Sequence, residues 1–121
     1  MTTVVGRVLV VEDDALVAMF IEDCLLDAGY EVVFANSLRG GLDLAATLEV
    51  DAAVLDVNLR GEMSFPIADV LLRRGIPFMI CSGYDTSAMA RLPHAVPKLT
   101  KPMTARQLTA ALAATMRLHR R

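Results

Sequence analysis

Five short apolar runs punctuate the chain: Arg7–Val11, Glu31–Ala35, Ala52–Leu55, Ile76–Cys81 and a weaker one near Ala95–Leu99. Their brevity and their Val and Ile content predict buried parallel strands. The stretches between them are amphipathic. Val17, Phe20, Ile21, Cys24, Leu25 and Ala28 recur at i, i+3, i+4, i+7, i+8 and i+11, one face of a helix that should stop at Gly29. Ser37 is placed to cap a second helix that runs through Leu48. Ser64 and Pro66 open a third, with the proline near the first position, where no amide partner is lost, and Gly75 stops it. A short fourth helix is expected from Asp85 to Ala90, and Thr104 caps a last one that reaches about Leu118.

Strands and helices alternate strictly in five pairs. Parallel strands need crossover connections, and helices supply them on both faces, so the pattern predicts a doubly wound α/β domain with a five-stranded parallel sheet. One domain is expected over residues 1–121, with no linker, repeat or effector domain. A hydrophobic content of 55% supplies a core and argues against disorder. A net charge of −2 argues against nucleic-acid binding by the whole domain. The basic end Arg117-Leu118-His119-Arg120-Arg121 reads as a solvated helix terminus. Cys24 and Cys81 set no disulfide framework and read as reduced, buried small hydrophobes, which suits the cytoplasm. The first residues lack a signal-peptide pattern and no apolar run approaches membrane-spanning length, so no membrane partner is expected.

Ligands of an open parallel sheet bind beyond the carboxyl ends of its strands. The reactive side chains fall there. Glu12, Asp13 and Asp14 follow the first run, Asp56 closes the third, Ser82 and Gly83 follow the fourth, and Lys101-Pro102 follows the last. Asp14 suits the N-cap of the first helix. The acids as a group have a plain alternative, a helix N-terminus that the macrodipole stabilises. Glu12, Asp13 and Asp56 gathered at one edge, however, repel one another without a cation, and Mg²⁺ prefers such hard oxygen ligands. Lys101 is able to hold a phosphate as a point charge, and a cis Lys101–Pro102 bond would aim it inward. Ser82 offers a hydroxyl to the same phosphate, and Gly83, without a Cβ, leaves room for a donor.

Four motifs carry a resemblance: Val10-Val11-Glu12-Asp13-Asp14, Val54-Leu55-Asp56-Val57-Asn58-Leu59, Cys81-Ser82-Gly83-Tyr84 and Thr100-Lys101-Pro102-Met103. In this order the chain resembles a response-regulator receiver domain of two-component signalling, from Arg7 to about Leu118. The resemblance implies a flavodoxin-like (βα)5 fold with strand order 2-1-3-4-5. It implies that Asp56 accepts a phosphoryl group from a histidine kinase or phosphotransfer protein. It further implies that Asp13, Asp56 and the main-chain carbonyl of Asn58 bind Mg²⁺ or Mn²⁺, with Glu12 acting through water, and that Ser82 and Lys101 contact the phosphoryl oxygens. Such a protein catalyses only its own phosphorylation and dephosphorylation. It passes the state, through the surface of the fourth helix, fifth strand and last helix, to a downstream protein that the sequence does not name.

The chain departs from the family pattern in two places. The aromatic residue usual three positions before the lysine is Lys98, and Leu59-Arg60-Gly61 replaces Leu-Pro-x-x-x-Gly, so this loop should differ in shape. Phe78-Met79-Ile80-Cys81-Ser82-Gly83-Tyr84 is similar to the signature of a subset of stand-alone receivers, many of which lack the aromatic switch and are linked to HWE-type histidine kinases. Tyr84 is a candidate to stand in for the switch or to shield the acyl phosphate, against the plainer reading of an amphipathic ring on a loop. Leu16 and Met19, off the core face of the first helix, are candidates for docking the donor. The competing reading is a degenerate receiver that serves as a phosphorylation-independent interaction module. A haloacid-dehalogenase-like phosphatase fits poorly, because that family places Asp-x-Asp after its first strand. A flavin-binding relative needs a phosphate-cradling loop where the acidic cluster stands.

Overall fold

The computed structural model describes residues 5–83 and 96–119. In chain order the elements are β1 (Gly6–Val11), α1 (Ala15–Asp27), β2 (Tyr30–Ala35), α2 (Leu38–Thr47), β3 (Ala52–Asp56), β4 (Asn58–Leu59), β5 (Glu62–Met63), α3 (Phe65–Arg74), β6 (Phe78–Ser82), β7 (Lys98–Thr100) and α4 (Ala105–His119). The helix expected from Asp85 to Ala90, and Tyr84, lie outside the described residues.

Five parallel strands form one sheet in the order β2-β1-β3-β6-β7. Numbered within that sheet alone, this is the expected order 2-1-3-4-5. β4 and β5 form a separate antiparallel hairpin, which the sequence reading did not anticipate. Successive strand side chains point to opposite faces, and both faces are covered. Leu9, Val11, Leu55 and Ile80 pack with Ala45 of α2 and Ile67 and Leu71 of α3. Val8, Val10, Val54 and Met79 pack with Ile21 and Leu25 of α1 and Leu108 and Leu112 of α4. Burial on both sides explains why these strands read as continuous apolar runs.

Two strands start later than expected, and proline is the reason in both. β6 begins at Phe78 rather than Ile76, and β7 spans Lys98–Thr100 rather than Ala95–Leu99. Pro77 and Pro97 have no N–H for a ladder, so each serves only as an acceptor at the strand's start, from Ala53 N and Ile80 N.

Helix ends follow side-chain chemistry. Asp14 Oδ1 accepts from the N–H groups of Leu16 at 2.9 Å and Val17 at 3.3 Å, as an N-cap should. Ser37 Oγ accepts from Gly40 N–H. Thr104 and Gln107 make a reciprocal capping box at the start of α4. Ser64 departs from expectation: its buried hydroxyl makes no hydrogen bond, and only its carbonyl serves α3, accepting from Ile67 and Ala68. Gly75 ends α3 at a φ of 71°.

The core face expected of α1 is only partly realised. Ile21, Cys24 and Leu25 are buried, but Ala28 is exposed and Phe20 is 39% exposed. Phe20 lines a cleft bounded by Pro102 and Met103.

Candidate functional site

The carboxyl edge of the sheet gathers the reactive residues because each follows directly on a strand. Asp56 is the last residue of β3 and is 8% exposed. Glu12 follows β1, extends the β1–β2 ladder through its N–H to Ala35 O at 3.1 Å, and is 2% exposed. Asp13 is half-buried beside it. One carboxylate oxygen from each of Glu12, Asp13 and Asp56 lies within 4.8 Å of the others.

Lys101 enters this group from β7. Its N–H donates to Ser82 O at 2.7 Å, which continues the β6–β7 ladder, and the bond to Pro102 is cis. The ammonium donates to Glu12 Oε2 at 2.7 Å and to Asp56 Oδ2 at 3.3 Å. Glu12 Oε1 accepts from Asp14 N–H at 3.1 Å, and Asp56 Oδ1 accepts from Asn58 N–H at 3.4 Å. Ser82 ends β6 at the same edge, in register with Thr100, and is buried.

The electrostatics follow from this crowding. Burial pushes the Glu12 carboxyl up to about 7 from 4.5; Asp56 adds to the rise, while Lys101 and the Asp14 amide oppose it. Burial alone would lower the Lys101 ammonium, but the hydrogen bond to Glu12 and the charges of Asp56 and Glu12 outweigh it and raise it. Both groups rise together because desolvation dominates at Glu12 and ion pairing dominates at Lys101. A single lysine does not balance three carboxylates. Oxygen-only donors with an excess of negative charge suit a small hard cation such as Mg²⁺. Cys81, beneath the site, is pushed up to about 12, chiefly by burial, so it is a neutral thiol and no thiolate ligand.

The remaining candidates are distributed around this centre. Lys98, which stands where the family usually has an aromatic, is exposed, and its ammonium donates to Val96 O at 2.9 Å. Leu16 and Met19 are 78% and 58% exposed. Leu16 lines a cleft of about 640 Å³ together with Val17, Phe20, Gly83, Pro102 and Met103, and Lys101 borders it. Met19 is exposed but is not part of that lining. Phe20 and Met103 line the cleft although no motif in the sequence marks them for it. Phe20 was hidden by its fit to the helical core pattern, and Met103 offered only its place after Lys101-Pro102.

Residues 8–113 match the response regulator receiver domain family, and the chain belongs to it. It is 32% identical over 124 residues to a probable transcriptional regulatory protein of Picosynechococcus, covering 93% of this chain and 49% of that protein. It is 30% identical over 116 residues to the cell cycle transcriptional regulator CtrA of Caulobacter vibrioides, covering 92% and 50%. The chain thus spans about half the length of these curated relatives. The solution structure of SdrG from Sphingomonas melonis superposes with a TM-score of 0.81 at 38% identity, over 96% of this chain and 98% of that one. A response regulator receiver protein from Sinorhizobium medicae shares the fold, with a TM-score of 0.86 at 22% identity and 97% coverage of both chains. Receiver domains are signalling modules with an acidic pocket, and that pocket is present here. Among the described residues no helix is long and apolar enough to cross a membrane.

Proposed function

We propose that the chain is a phospho-accepting receiver unit of the cytoplasm in which Asp56 takes a phosphoryl group from a histidine kinase or phosphotransfer protein. The observation that carries this reading is the convergence of Glu12, Asp13 and Asp56 within 4.8 Å, with Lys101 bonded to two of them.

A carboxylate oxygen of Asp56 attacks phosphorus as the bond from phosphorus to the donor's imidazole nitrogen breaks. The imidazole leaves with that electron pair, and Asp56 becomes an acyl phosphate. Asn58 N–H holds the other carboxylate oxygen and fixes the line of attack. Lys101 shifts its ammonium from Asp56 Oδ2 to a phosphoryl oxygen, and the Ser82 hydroxyl donates to another. Asp13, Asp56 and the Asn58 carbonyl, with Glu12 beside them, would hold Mg²⁺ or Mn²⁺, which would supply charge neutralisation to the transferring group. Attack by water on the acyl phosphate resets the site. The apolar cleft beside Lys101 supports docking of a donor helix on Leu16 and Phe20, with Met19 at its margin. The output is a change in the β7–α4 surface, with the preceding segment, toward a protein partner.

One observation favours the interaction-module alternative, the charged Lys98 in place of an aromatic switch. Incubation with acetyl phosphate, with and without Mg²⁺, separates the two readings. A Mg²⁺-dependent covalent phosphoryl adduct that is lost in Asp56→Asn is the expected result. No adduct on the wild-type protein would leave the interaction module as the function.

A further inference from the structure

Between Asp56 and α3 the chain folds back on itself. Leu59 pairs with Glu62 and Asn58 with Met63 across the two-residue turn Arg60-Gly61. Both turn residues have positive φ, 55° at Arg60 and 90° at Gly61, as in the turns whose twist suits a tight hairpin. Leu59, 1% exposed, anchors this hairpin in the core beside Val57 and Ile67.

The register of the hairpin decides where Asn58 points. Ser64 N–H donates to Val57 O at 2.8 Å, so Val57 and Ser64 are a bonded pair. In an antiparallel ladder bonded and non-bonded pairs alternate. Asn58 and Met63 are therefore a non-bonded pair, and the N–H and carbonyl of Asn58 turn away from the partner strand. The N–H does so, reaching Asp56 Oδ1 at 3.4 Å. The carbonyl of an extended residue shares the edge of its N–H, so it too turns from the partner strand, toward the side of Asp56, and is not consumed by the ladder. The Asn58 side chain closes the arrangement: Oδ1 accepts from Gly61 N–H at 2.6 Å. That amide belongs to the second turn residue, which the ladder also leaves unpaired.

We propose that the side chain of Asn58 is a positioning residue for a divalent-cation site. By clamping Gly61 it holds the hairpin in the one register that presents the Asn58 carbonyl beside Asp13 and Asp56. The inference rests on the cation-binding reading of the acidic pocket and adds to it a dependence on the hairpin turn. A variant that keeps the carbonyl but loses the clamp should bind the cation less well.

The test uses Mg²⁺ alone, titrated calorimetrically into the full chain, with amide hydrogen exchange at Gly61 as a metal-free readout of the clamp. Asn58→Ala keeps the carbonyl and removes the acceptor. Gly61→Ala leaves Asn58 intact and strains the turn through its φ of 90°, while its Cβ meets no atom within 4 Å. Both should weaken Mg²⁺ binding about tenfold, the loss usual when a ligand's support is removed, and Asn58→Ala should speed exchange at Gly61. Arg60→Gly relieves a positive φ and preserves both ends of the clamp, so it should bind as wild type does. Faster Gly61 exchange with unchanged Mg²⁺ affinity in Asn58→Ala overturns the proposal, as does an equal loss in Arg60→Gly. Wild-type protein that binds no Mg²⁺ overturns the cation-site reading as well, which distinguishes that failure from the failure of the clamp alone.

Discussion

The Lys101 ammonium lies nearer to Glu12, at 2.7 Å, than to the proposed acceptor Asp56, at 3.3 Å. Glu12 is also the more deeply buried carboxylate, so its dependence on this one cation is the greater. Removing the lysine leaves two buried acids facing each other. Lys101→Met should therefore destabilise the metal-free protein by about 2–4 kcal/mol, the usual range for breaking a buried pair from one side, somewhat discounted because the lysine remains partly solvated. Urea unfolding in EDTA reads this as a lower midpoint. Mg²⁺ should recover part of the loss by supplying the missing charge. A midpoint equal to that of wild type in EDTA would mean that the pair contributes nothing.

The same burial makes stability depend on pH. Glu12 has a pKa of about 7 when folded and 4.5 as its ordinary value. Between those values the folded state holds a proton that the unfolded state releases. The contribution of this group is therefore complete below pH 4.5 and is lost as pH rises to about 7. Glu12→Gln mimics the protonated form at every pH. In EDTA, wild type should lose roughly 1–3 kcal/mol relative to Glu12→Gln across this window, with no further change above it. Parallel midpoint curves for the two proteins from pH 4.5 to 8 would show that Glu12 ionises as an ordinary carboxylate.

The placement of the candidate site was legible because each of its residues is local to a strand end. An acid, a hydroxyl or a lysine directly after an apolar run must sit at the carboxyl edge if the strands are parallel, and Glu12, Asp56, Ser82 and Lys101 all do. The hairpin after Asp56 was not legible. Two-residue strands have no period to detect, and its turn places Arg60, a residue type without preference for positive φ, where glycine or asparagine is usual. Phe20 matched the helical core period, yet lies where α1 borders a cleft rather than a packed element. Periodicity reports which residues share a face and is silent on how far along the helix that face stays covered. Ser64 departs from its pattern for a similar reason. It stands at the right position for a cap, but it is the end of the hairpin that fixes its conformation, and its N–H is already committed to Val57.

Exposed apolar side chains around the cleft give the next prediction. Leu16→Gln and Met19→Gln remove exposed groups, so stability should change by only about 0.5 kcal/mol. Phosphorylation by acetyl phosphate should be unaffected, because neither side chain is one of the acids or the lysine of the pocket. Transfer from a cognate kinase should slow about tenfold for Leu16→Gln, as for loss of an interface anchor. The effect at Met19 should be smaller, since it lies outside the cleft lining. Rapid-quench measurement of both rates decides it. Normal transfer in Leu16→Gln would remove this end of α1 from the docking surface.

Gly41 joins the two helices on the other face of the sheet. A Cβ there would lie 2.5 Å from Ile67 Cδ1 and 3.1 Å from Val11 Cγ1. Ile67 and Val11 are both 0% exposed, so neither has open space to move into. Alanine would gain about 1 kcal/mol of helix propensity, whereas overpacking of a closed core costs about 1–3 kcal/mol. The clash should prevail, and Gly41→Ala should lower stability by about 1 kcal/mol. Ile67→Val removes the Cδ1 methyl that the new Cβ would strike, and alone should cost about 0.5–1.5 kcal/mol. The two changes together should be more stable than Gly41→Ala alone, because the added methyl then fills the space that the deleted one leaves. Urea unfolding of the four proteins closes the cycle. Strict additivity would show that α2 and α3 adjust independently, and that Ile67 does not set their separation.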